Sequence, residues 1–202
     1  MIDRDQAIAV ILAHLDPDDL LLSTTGMISR EVFATRDRPG NFYMIGSMGL
    51  LSSVGLGLAL LVPEQRVLIL EGDGSALMSL GTLPLIATER PANLVHIILD
   101  NEAYESTGAQ PSISHAVDLA KVGQSCGYQH AMRVDEPEEL EKALQTYLTV
   151  QGPSLLLVKA AIAPVEGIPR VSHSPTDIRD RFYKSIRRPS KLCNKAAEGL
   201  LS

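Results

Sequence analysis

Tryptophan is absent from this 202-residue chain, and aromatic residues make up only 4% of it against 45% apolar residues overall. With so few rings, aliphatic side chains have to fill the core. Cysteine is nearly absent too: Cys126 and Cys193 stand alone without metal-ligand spacing, which points to a reduced, cytoplasmic setting. No apolar run reaches the ~18 residues of a membrane span. The charged start, Met1-Ile2-Asp3-Arg4-Asp5-Gln6, lacks a signal-peptide pattern. Positive charge is not in excess: the net charge of −6 argues against a nucleic-acid or other polyanion-binding surface, though not against a local anion site. No Gly-x-Gly-x-x-Gly loop follows an early strand, so a Rossmann-type nucleotide site is not expected.

What is present is an alternation of short apolar runs and helical stripes, with no repeat and no linker. Ala7, Ile8, Val10, Ile11 and Leu15 predict a helix over 4–15. Strands are expected at 20–22, 42–45, 67–71, 94–99, 129–133 and 155–158. Helices are expected at about 30–35 (capped by Ser29), from 46–49 to 61, 75–89, 115–126, 137–149 and 175–188. Residues 100–113 read as a polar loop. This pattern predicts one α/β domain over 1–188, three layers deep, with a mostly parallel sheet of about six strands. Residues 189–202 are expected to form a flexible tail.

The most informative residues follow the strands. Gly72-Asp73-Gly74-Ser75 comes after Val67-Leu68-Ile69-Leu70, and Asp100-Asn101 comes after Leu94-Val95-His96-Ile97-Ile98-Leu99. Ligands of open parallel sheets bind outside the carboxyl ends of strands. Amides of Gly74 and Ser75 at a helix start suit a phosphate. Asp73 and Asn101 offer oxygens to a hard cation such as Mg2+, which takes further oxygens from a bound phosphate. Together they suggest a magnesium–diphosphate site. Gly46-Ser47-Met48-Gly49 could project the Met48 thioether into the same cleft. Ser106, Thr107 and Gln110 could hold a compact anionic substrate, with His115 as a further candidate. Thr24, Thr25 and Gly26 could face the cleft or a partner.

These motifs resemble the diphosphate-binding domain of thiamine-diphosphate enzymes, whose pattern is Gly-Asp-Gly, roughly thirty residues, then an Asn-Asn-like pair. Here the second Asn is Asn101 and the first position is Asp100. The nearer likeness is to phosphonopyruvate decarboxylases and sulfopyruvate decarboxylase β subunits. It is carried by Asp37-Arg38-Pro39-Gly40-Asn41-Phe42-Tyr43-Met44-Ile45-Gly46-Ser47-Met48-Gly49, by Gly72-Asp73-Gly74-Ser75-Ala76-Leu77-Met78, and by Asp100-Asn101-Glu102-Ala103-Tyr104-Glu105-Ser106-Thr107-Gly108-Ala109-Gln110.

The resemblance implies that Asp73, Asn101 and the Ala103 carbonyl bind Mg2+. It implies that Gly72, Gly74, Ser75, Ser47 and Tyr104 belong to the thiamine diphosphate site. The Gly46 carbonyl would accept from the cofactor's 4′-amino group, and Met48 would wedge under the bent cofactor. The implied reaction is decarboxylation of 3-phosphonopyruvate or 3-sulfopyruvate, small anionic 2-oxo acids. Such enzymes need a second, pyrimidine-binding domain with an activating glutamate, and one chain of this length has room for only one half. A pyrimidine-binding α subunit in an α2β2 assembly is therefore expected. None of Glu71, Glu102 and Glu105 is assigned the activating role. Carboligation by the same half-site, or a non-catalytic regulatory subunit, are the alternatives.

Overall fold

The computed structural model describes residues 1–162 and 167–187. The expected tail at 189–202, Cys193 and the last residue of the expected 175–188 helix lie outside the described residues. In chain order the elements are β1 (Ile2–Asp3), α1 (Arg4–Ala13), β2 (Leu20–Ser23), α2 (Met27–Thr35), β3 (Asn41–Tyr43), α3 (Leu51–Leu61), β4 (Val67–Gly72), α4 (Asp73–Met78) and α5 (Thr82–Glu89). They continue with β5 (Leu94–Asp100), β6 (Ala103–Tyr104), β7 (Gln110–Pro111), α6 (Leu119–Cys126), β8 (His130–Val134), α7 (Pro137–Tyr147), β9 (Ser154–Ala161) and α8 (Pro175–Ser185).

Seven strands form one sheet in the order β1-β9-β5-β4-β2-β3, with β8 also paired to β9. Every pairing in it is parallel. The strands read as continuous apolar runs because both faces are covered. Leu21, Leu68, Leu70, Ile97, Leu156 and Val158 point to one core, against α1, α2 and α7. Their alternates Leu22, Ile69, Ile98, Leu155 and Leu157 point to the other, against α3, α5 and α6. The result is the expected three-layer α/β/α arrangement.

Several boundaries differ from expectation. β1 pairs with the last two residues of β9 and has no local periodicity to reveal it. α2 starts at Met27, so Ser29 is not its cap: Ser29 is buried, and its hydroxyl donates to the Thr24 carbonyl at 2.6 Å. α3 begins at Leu51 rather than at 46–49, because Ser47 (φ 56°) and Gly49 (φ 91°) are left-handed and cannot continue a helix. The expected 75–89 helix breaks between Met78 and Thr82 into α4 and α5. The polar loop at 100–113 contains the antiparallel β6–β7 pair. The 115–126 helix is a 3-10 turn at Ile113–Ala116 followed by α6, which Asp118 caps by accepting from the amides of Ala120 and Lys121.

Candidate functional site

The chain leaves β2 for β3 on one side and, through α3, returns to β4 on the other. The strand order therefore reverses between β2 and β4. A crevice opens at such a switch point, beyond the carboxyl ends of the strands. The cleft found there is lined by Thr24 after β2, Met48 after β3, Gly72 to Ser75 after β4, and Asn101, Ala103, Tyr104, Ser106 and Thr107 after β5. Loops far apart in sequence thus converge as expected. Gly46 and Ser47 do not line this cleft. They line a neighbouring groove against α8.

Asp73 is the first residue of α4 and is buried. Its Oδ2 accepts from the Ser112 hydroxyl and, at 3.0 Å, from the Ser114 hydroxyl. Burial and the nearby Asp100 charge push its carboxyl above the usual range, against the pull of Ser112, Ser114 and the Gly74 amide. None of these partners is a cation. Such a carboxylate is short of positive charge and suits an incoming one.

Asn101 has a fixed orientation. Its Nδ2 donates to Glu105 Oε2 at 3.0 Å, and its Oδ1 accepts from the Ala103 amide at 3.1 Å. Glu105 is held in turn by the buried Arg4, which also pairs with Glu31. Burial lowers the Arg4 pKa, but the two carboxylates outweigh it and raise it overall. Among the described residues no three His, Cys, Asp or Glu side chains gather to hold a metal. A cation here would rest on one carboxylate, one amide oxygen and the Ala103 carbonyl. That is the donor set of a hard ion which keeps phosphate and water ligands, so the residues fit Mg2+ on a diphosphate. The approach at Gly74 is close: a Cβ there would lie 2.4 Å from the Tyr104 ring.

Met48 sits between the left-handed Ser47 and Gly49. A Cβ on Gly49 would come within 2.9 Å of Met78 Cβ, so glycine is required for space as well as for φ. The Gly49 amide donates to Ser75 Oγ at 3.2 Å, tying the Met48 loop to the glycine turn. Ser75 Oγ also accepts from Thr24 Oγ1 at 3.3 Å and donates to Glu71 Oε2 at 2.6 Å. Its hydroxyl is fully used, and only its amide is left for a phosphate. Behind it, Glu71 Oε1 lies 2.8 Å from His96 Nε2, and His96 Nδ1 lies 3.1 Å from the Tyr128 hydroxyl. Glu71 and His96 are fully buried. Burial, then the Glu71 charge, pushes the Tyr128 phenol up, which keeps it protonated in this chain of bonds. Sequence reasoning gave His96 no role. The signal was there: a His and a Glu inside neighbouring apolar strands must find partners.

Asp100 departs from the family's Asn, and the sheet shows why. Lys159 is its register partner on β9, and Lys159 Nζ lies 2.8 Å from Asp100 Oδ2. Lys159 also pairs with Glu102 at 2.6 Å. The three glutamates considered for activation are all engaged: Glu71 with His96 and Ser75, Glu102 with Lys159, and Glu105 with Arg4 and Asn101. Of the expected substrate residues, Ser106 and Thr107 line the cleft but Gln110 does not. Gln110 and Thr107 bond each other at 2.8 Å. His115 is exposed, with Nδ1 2.8 Å from the Ser112 carbonyl.

Residues 24–158 match the family described as thiamine pyrophosphate enzyme, C-terminal TPP binding domain. The chain belongs to this family. The match runs from Thr24 to Val158 and includes the Met48 loop, the glycine turn and the Asp100–Asn101 pair. The phosphonopyruvate decarboxylase of Streptomyces viridochromogenes is 39% identical over 186 residues, which are 92% of this chain and 47% of that one. The sulfopyruvate decarboxylase subunit beta of Methanothermobacter thermautotrophicus is 38% identical over 187 residues, 93% of this chain and 97% of the relative. This TPP-binding domain thus spans under half of the first relative and nearly all of the second. Its fold is also that of the thiamine diphosphate-dependent 4-hydroxybenzoylformate decarboxylase of Rhodococcus jostii RHA1. The TM-score is 0.71 at 20% identity, over 81% of this chain and 33% of the other. No helix among the described residues is long and apolar enough to cross a membrane.

Proposed function

We propose that this chain is the diphosphate-binding β subunit of a thiamine-diphosphate-dependent decarboxylase. Its substrate would be 3-phosphonopyruvate or 3-sulfopyruvate, and its active site would be shared with a pyrimidine-binding α subunit, in an α2β2 assembly. The observation that carries this reading is the convergence of Asp73, Asn101, Ala103 and Met48 on one cleft, in a chain 38% identical to a sulfopyruvate decarboxylase subunit beta. Thiamine diphosphate, when bound, supplies the electron sink for loss of CO2. The chain's own residues position it. Asp73, Asn101 and the Ala103 carbonyl would hold Mg2+, and the Ser75 amide would meet the diphosphate beside Gly72, Gly74 and Tyr104. Met48 would support the cofactor's ring end, while Gly46 and Ser47 before it line the neighbouring groove.

Two further observations favour a partner. Glu71, Glu102 and Glu105 are each committed elsewhere, so activation of the pyrimidine falls to a glutamate other than these three. Exposed apolar side chains also follow the Met48 loop and the glycine turn along the chain: Leu50 is 53% exposed, Val54 44% and Met78 61%. Decarboxylation of both acids, with Mg2+ and thiamine diphosphate, tests the reading on this chain alone and mixed with a pyrimidine-binding chain. Turnover only in the mixture, on one acid, is the expected result. Turnover by the chain alone would overturn the shared site, and none in any mixture would overturn the decarboxylase reading.

A further inference from the structure

A second recess opens beside the cofactor cleft, and Met27 and Ser106 line both. It is bounded by Thr25, Arg30 and Arg170, and among the described residues no carboxylate lines it. Arg30, on α2, spends Nε on the Pro169 carbonyl at 3.4 Å and one terminal nitrogen on the Ile168 carbonyl. These bonds draw the segment before α8 against α2 and bring Arg170 to the recess. Among the described residues Arg170 has no hydrogen-bond or ion-pair partner, and the Thr25 and Ser106 hydroxyls have none either.

We propose that this recess is the subsite for the tetrahedral anion on C3 of the substrate, with Arg170 as its principal ligand, Arg30 as a second positive charge, and Thr25 and Ser106 as hydroxyl donors. The inference rests on the decarboxylase reading for the identity of the substrate, not for the chemistry of the recess. Two guanidinium groups without a counter-ion among the described residues, in a chain of net charge −6, mark the recess as a place for an anion. A guanidinium fork matches two oxygens of a phosphonate or sulfonate at once, which a lysine cannot do. The shared wall at Met27 and Ser106 lets the 2-oxo acid end stay in the cofactor cleft while the C3 anion enters the recess. Thr107 and Gln110 have no part in it, since each satisfies the other.

Titration of the full chain with methylphosphonate and with methanesulfonate, followed by NMR, tests the subsite without any turnover. Saturable binding is expected, weakened about tenfold or more in Arg170→Met and partly restored in Arg170→Lys. Arg170 is exposed, so an unchanged thermal midpoint will show that both variants are folded. Phosphonate binding should weaken as pH falls and its second proton returns, whereas sulfonate binding should not, and the tighter of the two names the substrate's anion. In the assembled enzyme, Arg170→Met should raise KM about tenfold while leaving thiamine diphosphate affinity unchanged. Anion affinity equal in wild type and Arg170→Met, or no saturable binding to wild type, would overturn the subsite. Arg170-dependent anion binding in an assembly that decarboxylates neither acid would overturn the decarboxylase reading and leave the subsite standing.

Discussion

Asp73 keeps a charge where folding alone disfavours one. It is buried and accepts only from hydroxyls and one amide, and its carboxyl is pushed up by burial and by Asp100. Asp73→Asn removes that cost. The ligand-free variant should therefore melt at least as high as wild type, by up to roughly 2–4 °C, the shift that ~1 kcal/mol produces in a chain of this size. The same variant should lose Mg2+-dependent binding of thiamine diphosphate in calorimetry. A lower melting temperature with binding retained would mean that the carboxylate serves the fold rather than the cation. Gly49 sets the opposite balance. An alanine there meets Met78 Cβ and must hold φ near 91°, so Gly49→Ala should cost about 2 kcal/mol in urea unfolding and displace Met48. Wild-type stability and cofactor affinity in that variant would refute the account of the Met48 loop.

Pairs inside the sheet decide how strands β4, β5 and β9 hold these residues. Lys159→Met strands the buried Asp100 beside Ser114 and should destabilise by about 3 kcal/mol. Adding Asp100→Asn, the residue the family pattern carries, should recover most of that loss. Full additivity in this double-mutant cycle would show that the pair is not coupled. The Lys159 partner was legible in principle, because a lysine inside Leu155-Leu156-Leu157-Val158-Lys159 needs a counter-charge. Its identity was not legible, since register across a parallel sheet is set by distant crossovers. The same limit hid Arg4 behind Asn101, 97 positions away in sequence, and Ser112 and Ser114 on Asp73. By contrast, the six main strands and the meeting of Met48, residues 72–75 and the start of the 100–110 loop in one cleft were readable, because apolar runs and glycine turns are local signals, whereas Gly46, Ser47 and Gln110 fall outside that cleft. The breaks at Met78 and before Leu51 were misread because helix periodicity continues through residues that backbone conformation excludes from the helix.

At the scale of the whole chain, one edge is clamped and another is left apolar. Asp37, after α2, binds Arg181 of α8 at 2.8 Å, His173 at 2.9 Å and Tyr43 at 2.9 Å. Burial works against its charge, but these partners outweigh it and hold the carboxyl below its usual value. A depressed carboxyl stabilises above its unfolded pKa, about 3.9, and that contribution is lost as pH falls through the folded value. Asp37→Asn should therefore cost about 1 kcal/mol at pH 7 and almost nothing at pH 2, read from melting curves across that range. The apolar edge follows the Met48 loop: Leu50 and Val54 at the start of α3 are exposed, and Met78 packs beside Gly49. Burying such side chains against a second subunit removes apolar area from water at ~25 cal/mol per Å2. A carboxylate there must instead be desolvated on docking. Leu50→Asp with Val54→Asp should leave the isolated chain folded and still able to bind methylphosphonate, because both side chains face solvent. It should abolish co-sedimentation with the pyrimidine-binding chain, and turnover with it. Assembly that persists in this variant would place the partner on another face, and the cleft would then have to be completed by loops of this chain alone.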